Sequence, residues 1–95
     1  MIVNYSKRFI KQTNELDEKS KKALASAIKT VKEAKAISDI PNCRKLSGHK
    51  QTYRIRISKH RAIFVQESDT TLFFQYIAKR SEAYKKKYMD LLRDE

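Results

Sequence analysis

The apolar residues of this chain keep two different spacings, and the switch between them restricts the fold more than any other feature. Leu24, Ala27, Ile28 and Val31 fall at the i, i+3, i+4, i+7 positions of one helix face, with lysines on the other faces. In Thr52-Tyr53-Arg54-Ile55-Arg56-Ile57-Ser58, apolar and polar residues alternate strictly, which is the period of a half-buried strand. Between the two, Pro41 stops any helical reading, because the residue before a proline is pushed out of the helical region. Residues 42–50 have a glycine and no clean period, so they read as a loop.

The remaining elements follow from local signals. Met1 to Tyr5 fits a short strand, and Ser6 can cap a first helix carrying Phe9, Ile10 and Leu16. Asp17 opens the second helix, and a connection this short predicts an antiparallel helical hairpin. Ser58-Lys59-His60 is a turn into Arg61 to Gln66, apolar on both faces and therefore a central strand. Ser68-Asp69-Thr70 turns into a third strand, Leu72 to Ala78. Ser81 then caps a last helix with Tyr84, Tyr88, Leu91 and Leu92 on one side. The order predicts one α+β domain over residues 1–95: an N-terminal strand, a helical hairpin, a three-stranded antiparallel meander and a C-terminal helix. The helices are expected on one face of the sheet.

Charge supplies the first functional constraint. Lys and Arg number 22 against 11 Asp and Glu, a net charge of +11 on 95 residues, more than solubility requires. Such a field attracts polyanions, nucleic acid or an acidic protein first among them. A single cysteine, Cys43, forbids an internal disulfide, and with two histidines it leaves no structural zinc set. No metal and no cofactor is therefore expected. The longest apolar run, Ala62 to Val65, is far short of a membrane span, and Asn4, Lys7 and Arg8 interrupt any leader. A cytoplasmic protein is expected.

The alternating strand sends Tyr53, Ile55 and Ile57 to one face and Arg54 and Arg56 to the other. Arg61 begins the adjoining strand across a tight turn, and Arg80 lies where the third strand ends. One such arginine would be an ordinary solvated residue. Several on one face repel one another, and a planar guanidinium suits phosphate, so the cluster points to an anion. Tyr84 is read by helical spacing as a core residue beside Tyr88, although a ring next to a basic groove can also stack on a base. His60 and His49 could titrate near neutrality, and neither shows a fixing partner in the sequence.

Four segments resemble the RelE/ParE toxin superfamily of toxin–antitoxin systems, in its RelE-like branch. They are Lys45-Leu46-Ser47-Gly48, Tyr53-Arg54-Ile55-Arg56-Ile57, His60-Arg61-Ala62-Ile63-Phe64, and Ala78-Lys79-Arg80-Ser81-Glu82-Ala83-Tyr84. The resemblance covers essentially the whole chain and implies a fold like that of small microbial ribonucleases. It further implies a ribosome-dependent messenger-RNA endoribonuclease that inhibits translation. In such an enzyme the RNA's own 2′-hydroxyl attacks the adjacent phosphate.

Carried onto this sequence, the resemblance implies catalytic roles for Arg56, Arg61, Arg80 and Tyr84. Arg54, Lys45, His60, Lys79 and Lys85 are implied RNA contacts. The implied partners are a cognate acidic antitoxin and messenger RNA in the ribosomal A site, with contacts to 16S rRNA. RelE has lysines where Arg54 and Arg56 stand here. An arginine effectively cannot release its proton, so the base is left to His60, a ribosomal group or no conventional base. The alternative is the ParE-like branch, whose members inhibit DNA gyrase without cutting RNA and generally lack this complete set.

Overall fold

Ser6 and Asp17 start the two long helices as their positions predict. In the computed structural model, which describes residues 1–92, a first strand β1 (Ile2–Tyr5) leads into helix α1 (Lys7–Asn14). The Ser6 hydroxyl accepts the Phe9 N–H at 2.9 Å, satisfying one of the helix's free donors. Helix α2 (Glu18–Glu33) follows after a three-residue connection, with the Asp17 carboxylate accepting from the Ser20 N–H at 3.4 Å. Leu24 and Val31 are buried on its inner face, with Ala27 and Ile28 half-buried beside them. Ile10, placed inward by spacing, is instead half exposed.

Beyond Pro41 come β2 (Cys43–Lys45), β3 (Thr52–Ile57), β4 (His60–Gln66), β5 (Thr71–Lys79) and a single helical turn, α3 (Lys86–Met89). The five strands form one sheet in the order β1-β5-β4-β3-β2, parallel only between β1 and β5. The expected meander is β3-β4-β5. The added edge strand β2 lies in the stretch that reads as a loop, because three residues are too few to display a period. Ser58 adopts a left-handed φ of 55° to make the tight β3–β4 turn.

Core packs on both sides of this sheet. Phe9, Leu24, Val31 and Ile40 of the hairpin layer meet Ile55, Ile57, Ala62, Phe64, Leu72, Phe74 and Ile77. A chain of rings runs through that layer, Tyr5–Phe9 at 5.5 Å, Phe9–Phe74 at 5.3 Å, Phe74–Phe64 at 5.1 Å and Phe64–Tyr53 at 5.4 Å. On the opposite face Leu46, Ile63, Tyr76 and Ala78 are covered by Ala83, Tyr88 and Leu92. The α+β class stands, but the C-terminal segment is not on the hairpin's side. A bulge explains how β5 serves both layers. Ile63 pairs with Tyr76 but Phe64 with Phe74, so Gln75 is skipped and the alternation changes phase.

The expected helix from Ser81 does not form. Residues 80–85 turn without regular structure, and only Lys86–Met89 is α-helical, followed by a tight turn at Asp90–Leu92. The buried Tyr76 hydroxyl donates to the Ala83 carbonyl at 2.8 Å, the acceptor a continuous helix would offer to residue 87. Tyr76 also stacks on Tyr88 at 4.4 Å, so the segment is held by one side chain twice.

β1 ends at Tyr5, which leaves the last residues of β5 as an open edge. Side chains close it. Ser6 Oγ donates to the Gln75 carbonyl at 2.6 Å, and Gln12 Oε1 accepts the Ile77 N–H at 3.0 Å. Gln12 Nε2 in turn donates to the Tyr88 hydroxyl at 3.0 Å, joining the two layers around the edge. Gln12→Ala is expected to destabilise by about 1–2 kcal/mol, because it strands a backbone donor. Tyr88→Phe should cost less, and a double-mutant cycle by chemical denaturation should show coupling of about 0.5 kcal/mol or more. Strict additivity would refute the link.

His60 closes the hairpin layer at the other end. It pairs with Ile57, whose face it shares, and its ring is 6% exposed with Nδ1 unpartnered among the described residues. Burial holds its pKa below the ordinary 6.5, Lys59 and Lys79 push the same way, and Asp17 opposes them. Below pH 6.5 the unfolded chain therefore takes up a proton that the folded chain resists. Stability is full above that value and is lost as pH falls through it toward the folded pKa. His60→Gln should flatten this slope in denaturation midpoints measured from about pH 8 to pH 5. An unchanged slope would place the linkage elsewhere.

Candidate functional site

Antiparallel pairing sets residues directly opposite one another on the same face, so the register decides which cations meet. Arg56 pairs with Arg61, and Arg61 with Ala78, on the face away from the helical hairpin. Arg54 pairs with Ile63 on that same face. The alternation of β3 therefore brings Arg54, Arg56 and Arg61 together as their sequence positions predict.

Arg61 is the centre of the group. It is 6% exposed, and its Nη1 donates to the His60 carbonyl at 3.0 Å. Burial lowers its pKa, and the neighbouring charges of Arg56, Arg54 and Arg80 lower it further, while the Tyr84 phenol acts in the opposite direction. The guanidinium keeps its charge, because an arginine side chain does not deprotonate in proteins. Among the described residues no carboxylate forms an ion pair with these arginines. A bound anion would find a buried, pre-positioned cation with three more around it.

Arg80 is exposed at the end of β5, anchored by its N–H donating to the Lys59 carbonyl at 3.0 Å. Tyr84 is 44% exposed, which removes it from the core where helical spacing puts it. The same Tyr76–Ala83 bond that breaks the helix leaves Tyr84 beside Arg61, with its ring open to solvent.

The other sequence candidates separate. His60 turns to the hairpin side, so it does not share the arginine face. Lys45 pairs with Tyr53 and stands on that side too, at the sheet edge. Lys79 pairs with His60 at the strand end, where it lines a shallow pocket with Lys59, Arg80 and Ser81. Lys85 precedes α3 and lies 3.9 Å from Glu82, an exposed pair of small energetic weight. Sequence reasoning missed Arg44. It pairs directly with Arg54 and extends the cationic face onto β2. The only signal for it was its position in the basic stretch before the loop glycine.

Among the described residues no group of His, Cys, Asp or Glu could hold a metal ion, and no helix is long and apolar enough to cross a membrane. The lone thiol of Cys43 is half-buried on β2, and burial pushes its pKa up to about 11, so it is inert at neutral pH.

No family model and no curated protein matches this sequence. Solved structures do match. The RelB-RelE antitoxin-toxin complex from Methanococcus jannaschii aligns with a TM-score of 0.73 at 20% identity, over 85% of this chain and 94% of that chain. A mutant of the E. coli toxin RelE in the free state aligns with a TM-score of 0.68 at 16% identity, over 98% of this chain and 94% of that one. The intact E. coli RelBE toxin-antitoxin complex gives 0.65 at 22% identity, over 82% and 94%. At such identities the likeness lies in the backbone, and the backbone of this chain has the RelE-like toxin fold.

Proposed function

We propose that this chain is the toxin of a toxin–antitoxin pair, a ribosome-dependent endoribonuclease that cuts messenger RNA in the A site. The observation that carries this reading is the direct pairing of Arg56 with buried Arg61, next to Arg80 and Tyr84. The RelE-like fold supports it, since the structures it resembles include RelE toxins bound to the antitoxin RelB. In the proposed reaction the 2′-oxygen bonds to the adjacent phosphorus as the bond to the 5′-oxygen breaks. The 2′-hydroxyl gives up its proton and the leaving 5′-oxygen gains one. Arg61, Arg56 and Arg80 neutralise charge growing on the phosphate oxygens, and Tyr84 stacks on a base beside the cut. His60 is not the base in this scheme, because its ring lies across the sheet. The net charge of +11 fits an acidic antitoxin as the silencing partner, and the ribosome as target places the action in the cytoplasm.

Arg61→Ala and Arg80→Ala should each slow single-turnover cleavage on programmed ribosomes about 100- to 1,000-fold. Arg80→Ala, at an exposed position, should keep the wild-type melting temperature. RNA ends mapped after induction should fall within codons being translated. Intact transcripts together with inhibited DNA supercoiling would overturn the reading in favour of a gyrase inhibitor.

Tyr84 divides function from stability. Tyr84→Ala should leave the melting temperature nearly unchanged and yet cut cleavage about 5- to 150-fold, the 1–3 kcal/mol of one stacked base. Tyr84→Phe then tells ring from hydroxyl. Full activity in the alanine variant would remove Tyr84 from the site.

A further inference from the structure

Two pairs of arginines face each other directly across strands on the same side of this sheet: Arg56 with Arg61, and Arg44 with Arg54. Like charges directly opposite in a ladder destabilise it, and among the described residues no acidic side chain forms an ion pair with any of the four. Arg44 sits on the edge strand, where a single charge would suffice to discourage strand addition. Edge protection does not account for its placement against a second arginine, since Lys45 already supplies a charge to that edge.

We propose that Arg44 and Arg54 form a second phosphate subsite, which takes the backbone phosphate next to the one held by Arg56, Arg61 and Arg80. The proposal rests on the RNA-cleaving reading above and adds a contact outside the reacting centre. Arg54 and Arg56 are two residues apart on one strand, so the pairs lie about 6.6 Å apart along β3, a span within reach of neighbouring phosphates of one extended strand. Each pair offers two planar guanidinium groups from adjacent strands, a geometry that brackets the oxygens of a single phosphate. Phosphate contacts carry no base information, so this subsite sets the register and direction of the RNA and leaves choice of sequence elsewhere. Arg44, on a three-residue edge strand, is exposed, whereas Arg61 is buried. The strand would thus be clamped firmly at the reacting phosphate and more loosely at its neighbour.

The test uses Arg44→Ala and a short single-stranded RNA with a 2′-deoxynucleotide at the cleavage position, which binds but cannot react. Affinity is measured as a function of salt concentration. The variant should bind all sequences more weakly, and its log–log salt slope should be shallower than wild type by about 0.7, the value for one phosphate on a single strand. Its melting temperature should be equal or higher, because a like-charge pair has been relieved. A methylphosphonate scanned along the oligonucleotide then locates the contact. One position adjacent to the cleavage site should weaken wild type more than Arg44→Ala, which keeps only the Arg54 contact to that phosphate. An unchanged salt slope, with methylphosphonates costing both proteins alike, overturns the subsite. Failure of the nuclease reading looks different: wild type would cut no RNA on programmed ribosomes, whatever slopes the binding curves show.

Discussion

Strand β4 is buried on both faces, and the remainder of the molecule is arranged to keep it so. Ala62 and Phe64 point into the hairpin layer while Ile63 points into the layer under the C-terminal segment. A strand apolar on both sides cannot face water on either, so two covers are required where one sheet face would otherwise need only one. The bulge at Ile63 and Phe64 lets the neighbouring β5 feed aromatic side chains to both covers. Arg61 belongs to this strand and is held by the same packing. A cation there cannot relax away from its neighbours, as a surface arginine would.

The C-terminal segment is therefore more than a lid on the second core. Tyr76 stacks on Tyr88 and binds the Ala83 carbonyl, and both contacts interrupt what the sequence would otherwise make a helix. The interruption exposes Tyr84 next to the most buried arginine of the cluster. Core packing on one side of the segment thus places a ring at the site on the other. The Gln12 bridge to Tyr88 ties that segment to the hairpin around the open edge of β5.

The arginine face stands against the stability of the sheet that bears it. Two like-charged cross-strand pairs repel, and the sheet tolerates them because its apolar layers supply the compensating free energy. The opposite arrangement holds on the hairpin side. There His60 is kept neutral by burial and contributes to packing, so two consecutive residues of β4, His60 and Arg61, serve opposite faces with opposite demands on charge.

Period and local chemistry alone determined a good deal: the caps at Ser6 and Asp17, the inward stripe of α2, the central position of β4 and the sharing of one face by Arg54 and Arg56. Each is written within a few residues, at a spacing that has one structural solution. What sequence could not display was anything set by partners distant in the chain. β2 is too short to show a period and exists only because β3 pairs with it, so Arg44 came into view only with the register. Tyr84 sits at perfect helical spacing from Tyr88, yet a hydroxyl seven residues upstream takes the carbonyl that the helix needed. His60 follows the turn beside Arg61, and only strand pairing sends it to the other face. Local propensity is worth tenths of a kcal/mol per residue, whereas a buried hydrogen bond or a filled core layer is worth about one or more, so tertiary contacts decided wherever the two disagreed.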